Sequence, residues 1–143
     1  SSGSITGTTG VLTAASYAAT GSGTISAILG GSGVTLSKSG AGTLVLTAAN
    51  TYTGDTSVTE GTLQVGNGGT TGTLGNNSNT SVASGATLLI ERSTDSFGYA
   101  YSGALSGDGT VVVPAARRLN FQTNNQAQSG GLAFTLNGVL GVN

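Results

Sequence analysis

The sequence predicts an all-β chain that folds as a β-solenoid, and three observations carry this prediction. A phrase of glycine, threonine and a branched apolar residue recurs, and its apolar members are 19, 19, 25 and 23 residues apart: Ile25, Leu44, Leu63, Leu88 and Val111. Fixed spacings near 20 residues indicate units that bury a core only by stacking, here as about five to seven rungs. Glycine is abundant, with 26 in 143 residues, and supplies the corners between short strands. No stretch keeps a helical period, so we expect little or no helix.

The low charge of the chain suits a stack of similar rungs. Charged residues make up 6 %, and the net charge is −1. Equivalent residues of successive rungs lie about 4.8 Å apart, so a repeated charge would face its own copy. The composition offers no basic patch for nucleic acid, since the one adjacent basic pair is Arg117-Arg118. No apolar run approaches the roughly 18 residues of a membrane span. We therefore expect neither a nucleic-acid partner nor a direct membrane span.

Residues 1–143 are predicted to form one solenoid domain, whose segments follow from turn signals and strand-favouring runs. Residues 1–20 predict an irregular cap, because the alanine-rich stretch 14–19 fits either a helical turn or an atypical first rung. The segment 21–65 is the most regular, with strands expected at 24–28, 33–37, 43–47, 56–59 and 62–65. A polar connector at 66–80, further rungs and a loop at 81–131, and a terminal strand segment at 132–143 complete the chain.

The spacings also predict which side chains stack inside the solenoid. Ile25, Leu44, Leu63 and Leu88 each follow a Gly-Thr or Ala-Thr pair, so we expect them in one inward column. A second interval of 24 residues links Val34, Val58 and Val82 and predicts another column.

The strongest local pattern covers residues 36–65. It reads K-x-G-x-G-T-L-x-L-x-x-x-N-x-Y-x-G-x-T-x-V-x-x-G-T-L from position 38, and it resembles the autotransporter-associated β-strand repeat of Gram-negative passenger domains. The matching positions are Lys38, Gly40, Gly42, Thr43, Leu44, Leu46, Asn50, Tyr52, Gly54, Thr56, Val58, Gly61, Thr62 and Leu63. The resemblance implies a right-handed parallel β-helix that is secreted or held on the outer surface of a Gram-negative bacterium. It also implies a structural stalk, an adhesive or an export-assisting role.

The residue inventory excludes several classes of chemistry. Histidine and cysteine are both absent, so Ser-His-Asp and Cys-His nucleophile systems and the usual zinc ligand sets cannot be built. We predict no enzymatic activity, no catalytic residue, no metal and no cofactor. One acidic and aromatic cluster follows the strand expected at 87–90: Glu91, Arg92, Asp95, Phe97, Tyr99 and Tyr101. It is either a solvated loop packed by its own aromatic side chains or an adhesion loop for a host or matrix glycan or protein.

The end of the chain predicts self-association. Residues 132–136 alternate apolar and polar side chains, and the candidate assembly residues are Leu132, Phe134, Leu136, Val139 and Leu140. An uncapped solenoid end exposes unpaired backbone groups that another chain can pair with. A head-to-tail contact of this kind propagates into filaments. The alternatives are that the tail caps its own rod or continues into further residues.

Overall fold

The chain is built from short parallel strands. The computed structural model describes residues 2–76, 78–93, 99–122, 131–136 and 139–142, and none of them lies in a helix. The strands are β1 (Ser2–Ile5), β2 (Val11–Thr13), β3 (Tyr17–Ala19), β4 (Ser22–Ile25), β5 (Ile28–Gly30), β6 (Leu36–Lys38), β7 (Thr43–Leu46), β8 (Thr56–Val58), β9 (Thr62–Val65), β10 (Thr80–Val82), β11 (Thr87–Ile90), β12 (Tyr99–Tyr101), β13 (Leu105–Gly107), β14 (Thr110–Val113), β15 (Arg118–Phe121), β16 (Ala133–Leu136) and β17 (Val139–Val142).

These strands stack into three sides of a solenoid. One side is a seven-stranded sheet in the order β1-β4-β7-β9-β11-β14-β16, and a second is a five-stranded sheet in the order β13-β10-β8-β6-β3. The third side holds the pair β2-β5 and the sheet β12-β15-β17. Every ladder between these strands is parallel, because the chain returns to the same side once per rung. The predicted β-solenoid is confirmed, with about six turns.

The seven-stranded sheet carries the leucine column that the Gly-Thr phrase predicts. Leu44, Leu63, Leu88 and Val111 are register partners in successive strands, and all are buried. Ile25 is not in this column, because it pairs with Leu46 while Gly23 takes the leucine position opposite Leu44. The phrase in β4 is displaced by two residues along the strand relative to β7. A shift of two preserves the inward direction of the isoleucine, so it joins a second buried column. The members of that second column are Ile25, Leu46, Val65, Ile90 and Val113.

The predicted column of Val34, Val58 and Val82 is wrong in its first member. Val58 and Val82 are register partners, but the residue opposite Val58 in the preceding rung is Lys38. Val34 is buried in the turn before β6. The rungs differ in length, so an equal interval in sequence does not guarantee an equal position in the stack.

The first 20 residues form a rung where the sequence predicted an irregular cap. β1, β2 and β3 pair with β4, β5 and β6 in the next rung. The alanine-rich stretch ends in a strand because Tyr17 points inward and is buried. Its hydroxyl donates to the carbonyl oxygens of Leu12 and Gly30, the second at 2.7 Å. These bonds hold the third side of the first rung against β3.

Two adjacent leucines of β11 provide a matched test of the inward column. Leu88 is buried and Leu89 is half-exposed on the outer face. We expect Leu88→Ala to lower the free energy of unfolding by about 2–5 kcal/mol, because it removes a stacked side chain and leaves a cavity. Leu89→Ala should cost less than about 1 kcal/mol. Urea denaturation followed by circular dichroism measures both values, and equal losses would contradict the assignment of faces.

Candidate functional site

A buried lysine closes the corner that follows β6. The side chain of Lys38 has no solvent exposure. Its ammonium group donates to the carbonyl oxygens of Ser39 at 3.2 Å, Gly40 at 2.5 Å and Glu60 at 3.1 Å. The first two acceptors belong to its own corner and the third to the corner one rung later. Burial lowers the pKa of Lys38, and the nearby Glu60 carboxylate opposes this shift. The lysine therefore joins two successive corners through hydrogen bonds to backbone groups that lie outside the strand ladders.

The glycine of the next corner makes room for this arrangement. Gly61 has a φ of 69°, in the region that favours glycine. A Cβ atom there would lie 2.5 Å from the carbonyl oxygen of Gly42 and 2.9 Å from the Lys38 Nζ. The lysine and glycines of the repeat pattern are thus parts of one packed corner.

A buried asparagine performs the same kind of bridging on the third side. The Asn50 Oδ1 accepts from the backbone N–H of Leu29 at 2.9 Å, and its Nδ2 donates to the Thr73 carbonyl at 2.6 Å. Those two partners belong to the preceding and the following rung. Next to it, the hydroxyl of the fully buried Tyr52 lies 2.8 Å from the Thr56 Oγ1. Asn50 replaces a regular strand ladder at a place where the third side lacks one.

The remaining residues of the repeat pattern fill three structural positions. Leu44, Leu46, Val58 and Leu63 are buried in the core, and Thr43 and Thr62 are half-buried on the outer face. Thr56 is buried beside Tyr52, and Gly40, Gly42 and Gly54 lie at corners. The pattern of residues 38–63 therefore encodes packing and corner geometry.

The predicted aromatic platform of the adhesion loop is wrong. Tyr99 and Tyr101 lie on β12 with only 4 % and 2 % of their surface exposed. The Tyr99 hydroxyl accepts from the Leu74 N–H at 2.9 Å, and the Tyr101 hydroxyl donates to the Ser78 carbonyl at 2.7 Å. A ring that faces the core cannot stack on a sugar. The alternation of tyrosine, alanine and tyrosine was the sequence signal for a strand with both rings on one face.

The charged members of the same cluster also have structural partners. Glu91 accepts from the Arg117 Nε at 3.2 Å. The guanidinium of Arg92 stands 5.5 Å from the centre of the Tyr99 ring. Asp95 and Phe97 lie outside the described residues. Among the residues that are described, no group of three or more His, Cys, Asp or Glu side chains could hold a metal ion.

The candidate assembly residues lie at one end of the stack. Phe134 and Leu136 are on β16, which pairs with β14, while Val139 and Leu140 are on β17, which pairs with β15. Leu132 is half-buried and packs against the core. At the opposite end, the large apolar residues described as exposed are Ile5, Val11 and Leu12, all in the first rung. The sequence reading missed this second group because it treated residues 1–20 as a cap.

The buried lysine can be tested against an exposed cation. We expect Lys38→Met to lower the free energy of unfolding by about 1–3 kcal/mol, because three carbonyl groups lose a charged donor while the apolar stem is kept. Arg117→Met removes a partly exposed ion pair and should cost about 0–1 kcal/mol. Urea denaturation of the two variants at neutral pH gives the comparison. A Lys38 variant as stable as the Arg117 variant would show that the ammonium contributes little.

The buried tyrosines predict a loss of stability at high pH. Burial raises the pKa of Tyr52, Tyr99 and Tyr101 above the ordinary value of about 10. A raised folded-state pKa means that the native chain holds these protons more tightly than the unfolded chain. This contribution is complete below about pH 10 and is lost as the pH rises towards the folded-state values.

We therefore expect the free energy of unfolding to fall above about pH 10, with tyrosinate absorbance from these three residues appearing together with unfolding. Tyr101→Phe should reduce the slope. Ionisation of all four tyrosines in a chain that retains its native circular dichroism would contradict the burial of these rings.

Comparison with known proteins places this geometry in a family. The family model described as Passenger-associated-transport-repeat matches residues 36–65. Over 88 residues the chain is 41 % identical to the adhesin BmaC autotransporter of Brucella suis biovar 1 (strain 1330), which covers 59 % of this chain but 2 % of that relative. No solved structure gives a significant match, and no described helix is long and apolar enough to cross a membrane. The chain thus carries a passenger-associated-transport repeat within a β-solenoid of the autotransporter passenger type.

Proposed function

We propose that this chain is a rigid stalk segment in the secreted or surface-exposed passenger of a Gram-negative autotransporter. The observation that carries the proposal is the unbroken parallel sheet from β1 to β16. Six steps of about 4.8 Å make this sheet about 29 Å long. The stalk would hold adhesive parts of the whole protein away from the bacterial surface, in line with the adhesin name of the relative.

Stiffness of the stalk is supported by contacts that run along its axis. The two inward columns are buried through successive rungs. Lys38 and Asn50 add hydrogen bonds between rungs at places that the strand ladders do not reach. A bend between two rungs would have to break ladder bonds and open both columns, so the rungs should move as one body.

The absence of enzymatic activity is part of the proposal. The chain has neither histidine nor cysteine. Three carboxylates accept from partners within the fold: Asp55 from the Asn79 N–H, Glu91 from Arg117 and Asp108 from the Gly131 N–H. They hold corners and turns, and their partners come from other rungs. A glycan-binding role for the loop after β11 has lost the aromatic surface on which it depended.

An export-assisting role is a second candidate, favoured by the transport function named in the description of the matched repeat. Parallel rungs add to an existing edge one at a time, so a chain that emerges gradually can fold in order. The stalk and export roles are compatible, because both require the same stacked edge.

The stiffness of the stalk can be measured inside one chain. The outer column of the seven-stranded sheet includes Thr24 and Val112, separated by four register steps, or about 19 Å. Because the chain has no cysteine, spin labels at Thr24→Cys and Val112→Cys can be placed without other changes. Pulsed electron paramagnetic resonance at low protein concentration should give one narrow distance distribution.

A pair of labels from a single rung, Thr24→Cys and Ser37→Cys, supplies the control. Both sites are outside the core, on β4 and β6, and their distribution reports the motion of the labels alone. The two distributions should have similar widths. A clearly broader or multiple distribution for the long pair would contradict the stalk proposal, whatever the chain does with its neighbours.

A further inference from the structure

The first rung leaves the inward columns of the solenoid uncovered. Ile5 is the register partner of Ile25, and Leu12 is the partner of Leu29. Ile25 and Leu29 are buried, whereas 46 % of Ile5 and 37 % of Leu12 are exposed. These two side chains occupy core positions and have a neighbouring rung on one side only. The exposed apolar surface is therefore an open cross-section of the core.

A cavity deepens this open end where the leucine column should continue. It has a volume of about 330 Å³ and is lined by Gly3, Ile5, Ala19, Gly23, Ile25 and Leu44, among others. Gly3 and Gly23 stand in the register positions that Leu44, Leu63 and Leu88 occupy further along. Two missing side chains in one column create the space. A dry cavity of about 150 Å³ binds benzene, so this one has room for an aromatic side chain.

Charge does not guard either end of the stack. Every Asp, Glu, Lys and Arg lies between Lys38 and Arg118, so residues 1–37 and 119–143 carry none. Natural edge strands that must stay unpaired usually carry charges or proline. The single proline, Pro114, is also internal. Both ends are thus electrostatically neutral surfaces that can approach each other without repulsion.

The opposite end supplies a strand with matching register. β16 is the last strand of the seven-stranded sheet, with Phe134 opposite Val111 in the leucine column and Leu136 opposite Val113 in the second column. Extending the ladder by one step from β16 to the β1 of another chain places Phe134 opposite Gly3. The same step places Leu136 opposite Ile5.

We propose that the first rung of this protein docks the terminal rung of a second copy, with β1 pairing in parallel to β16 and Phe134 filling the cavity beside Gly3 and Gly23. The contact continues the ladder that joins the strands of the seven-stranded sheet. It buries the exposed Ile5 under Leu136 of the second copy. It is heterologous, so each added chain presents a new open first rung and the assembly grows into a filament.

The register can be tested by cross-linking chains that carry one cysteine each. Gly3→Cys and Phe134→Cys chains are mixed, allowed to associate and oxidised. Neighbouring parallel strands bring the Cα atoms within about 5 Å, inside the range of about 4.4–6.8 Å that a disulfide requires. Mass spectrometry should show the mixed dimer as the main product. Gly69→Cys is the matched control: its Cβ meets nothing within 4 Å, and the residue lies exposed in the connector between rungs.

We expect the Gly3–Phe134 pair to yield roughly tenfold or more cross-linked dimer than the Gly69–Phe134 pair, because docking raises the local concentration of the two thiols. Equal yields from the two pairs would overturn the proposal. A full-length chain that sediments as a monomer at about millimolar concentration would overturn it too, since a K_d above this corresponds to less than about 4 kcal/mol of binding.

Filling the cavity from the other side separates docking from folding. A Cβ at Gly3 meets no atom within 4 Å, so Gly3→Leu should fold normally and extend the leucine column. We expect it to weaken association roughly 100-fold by excluding the phenyl ring, and Phe134→Ala to weaken it similarly by leaving the cavity empty. The double variant should recover part of the loss, as measured by sedimentation equilibrium. Unchanged association in both single variants would contradict the Phe134–Gly3 contact.

Discussion

The hydrogen-bonded ladder between successive rungs is the constraint on which the rest of this structure depends. No rung has a core of its own, because its inward side chains are covered only by the rungs before and after it. The ladder fixes the distance between rungs at about 4.8 Å, and this distance determines which residues can stack. Leucine on leucine is favourable at that spacing, and charge on charge is not. The uncharged outer face and the apolar columns are two results of one repeat distance.

Corners are where the ladder stops, and there the chain needs other bonds between rungs. Lys38 and Asn50 both occupy such places, and each reaches backbone groups of a neighbouring rung. A buried lysine would be destabilising if its ammonium lacked acceptors, since desolvation disfavours its charged form. Three carbonyl oxygens provide those acceptors. The polar residues inside this solenoid thus extend the inter-rung bonding beyond the strands.

The sequence predicted the fold class and most of the inward residues, because period-two strands and repeat spacing are local properties. It failed where the position depends on alignment between rungs. Ile25 was placed one column away from its true position, since the repeated phrase slides by two residues along β4. Val34 was placed opposite Val58 because unequal corners can give equal spacings. Tyr99 and Tyr101 were read as a loop, although their alternation fits a buried strand. The network around Lys38 depends on two distant corners meeting, which no local pattern reveals.

The two ends differ from the middle because stacking has a direction. Any rung inside the solenoid is covered on both sides, so its side chains are judged only against the two neighbouring rungs. The first rung breaks the column with Gly3, and Gly23 breaks it again in the next rung. A Cβ at Gly23 would collide with the backbone of Gly3, whereas a Cβ at Gly3 is unhindered. The glycine at position 23 is therefore required by packing within the chain, but the one at position 3 is not. Only something outside the first rung can make use of the space above Gly3, and the ladder determines that a strand in register is what fits there.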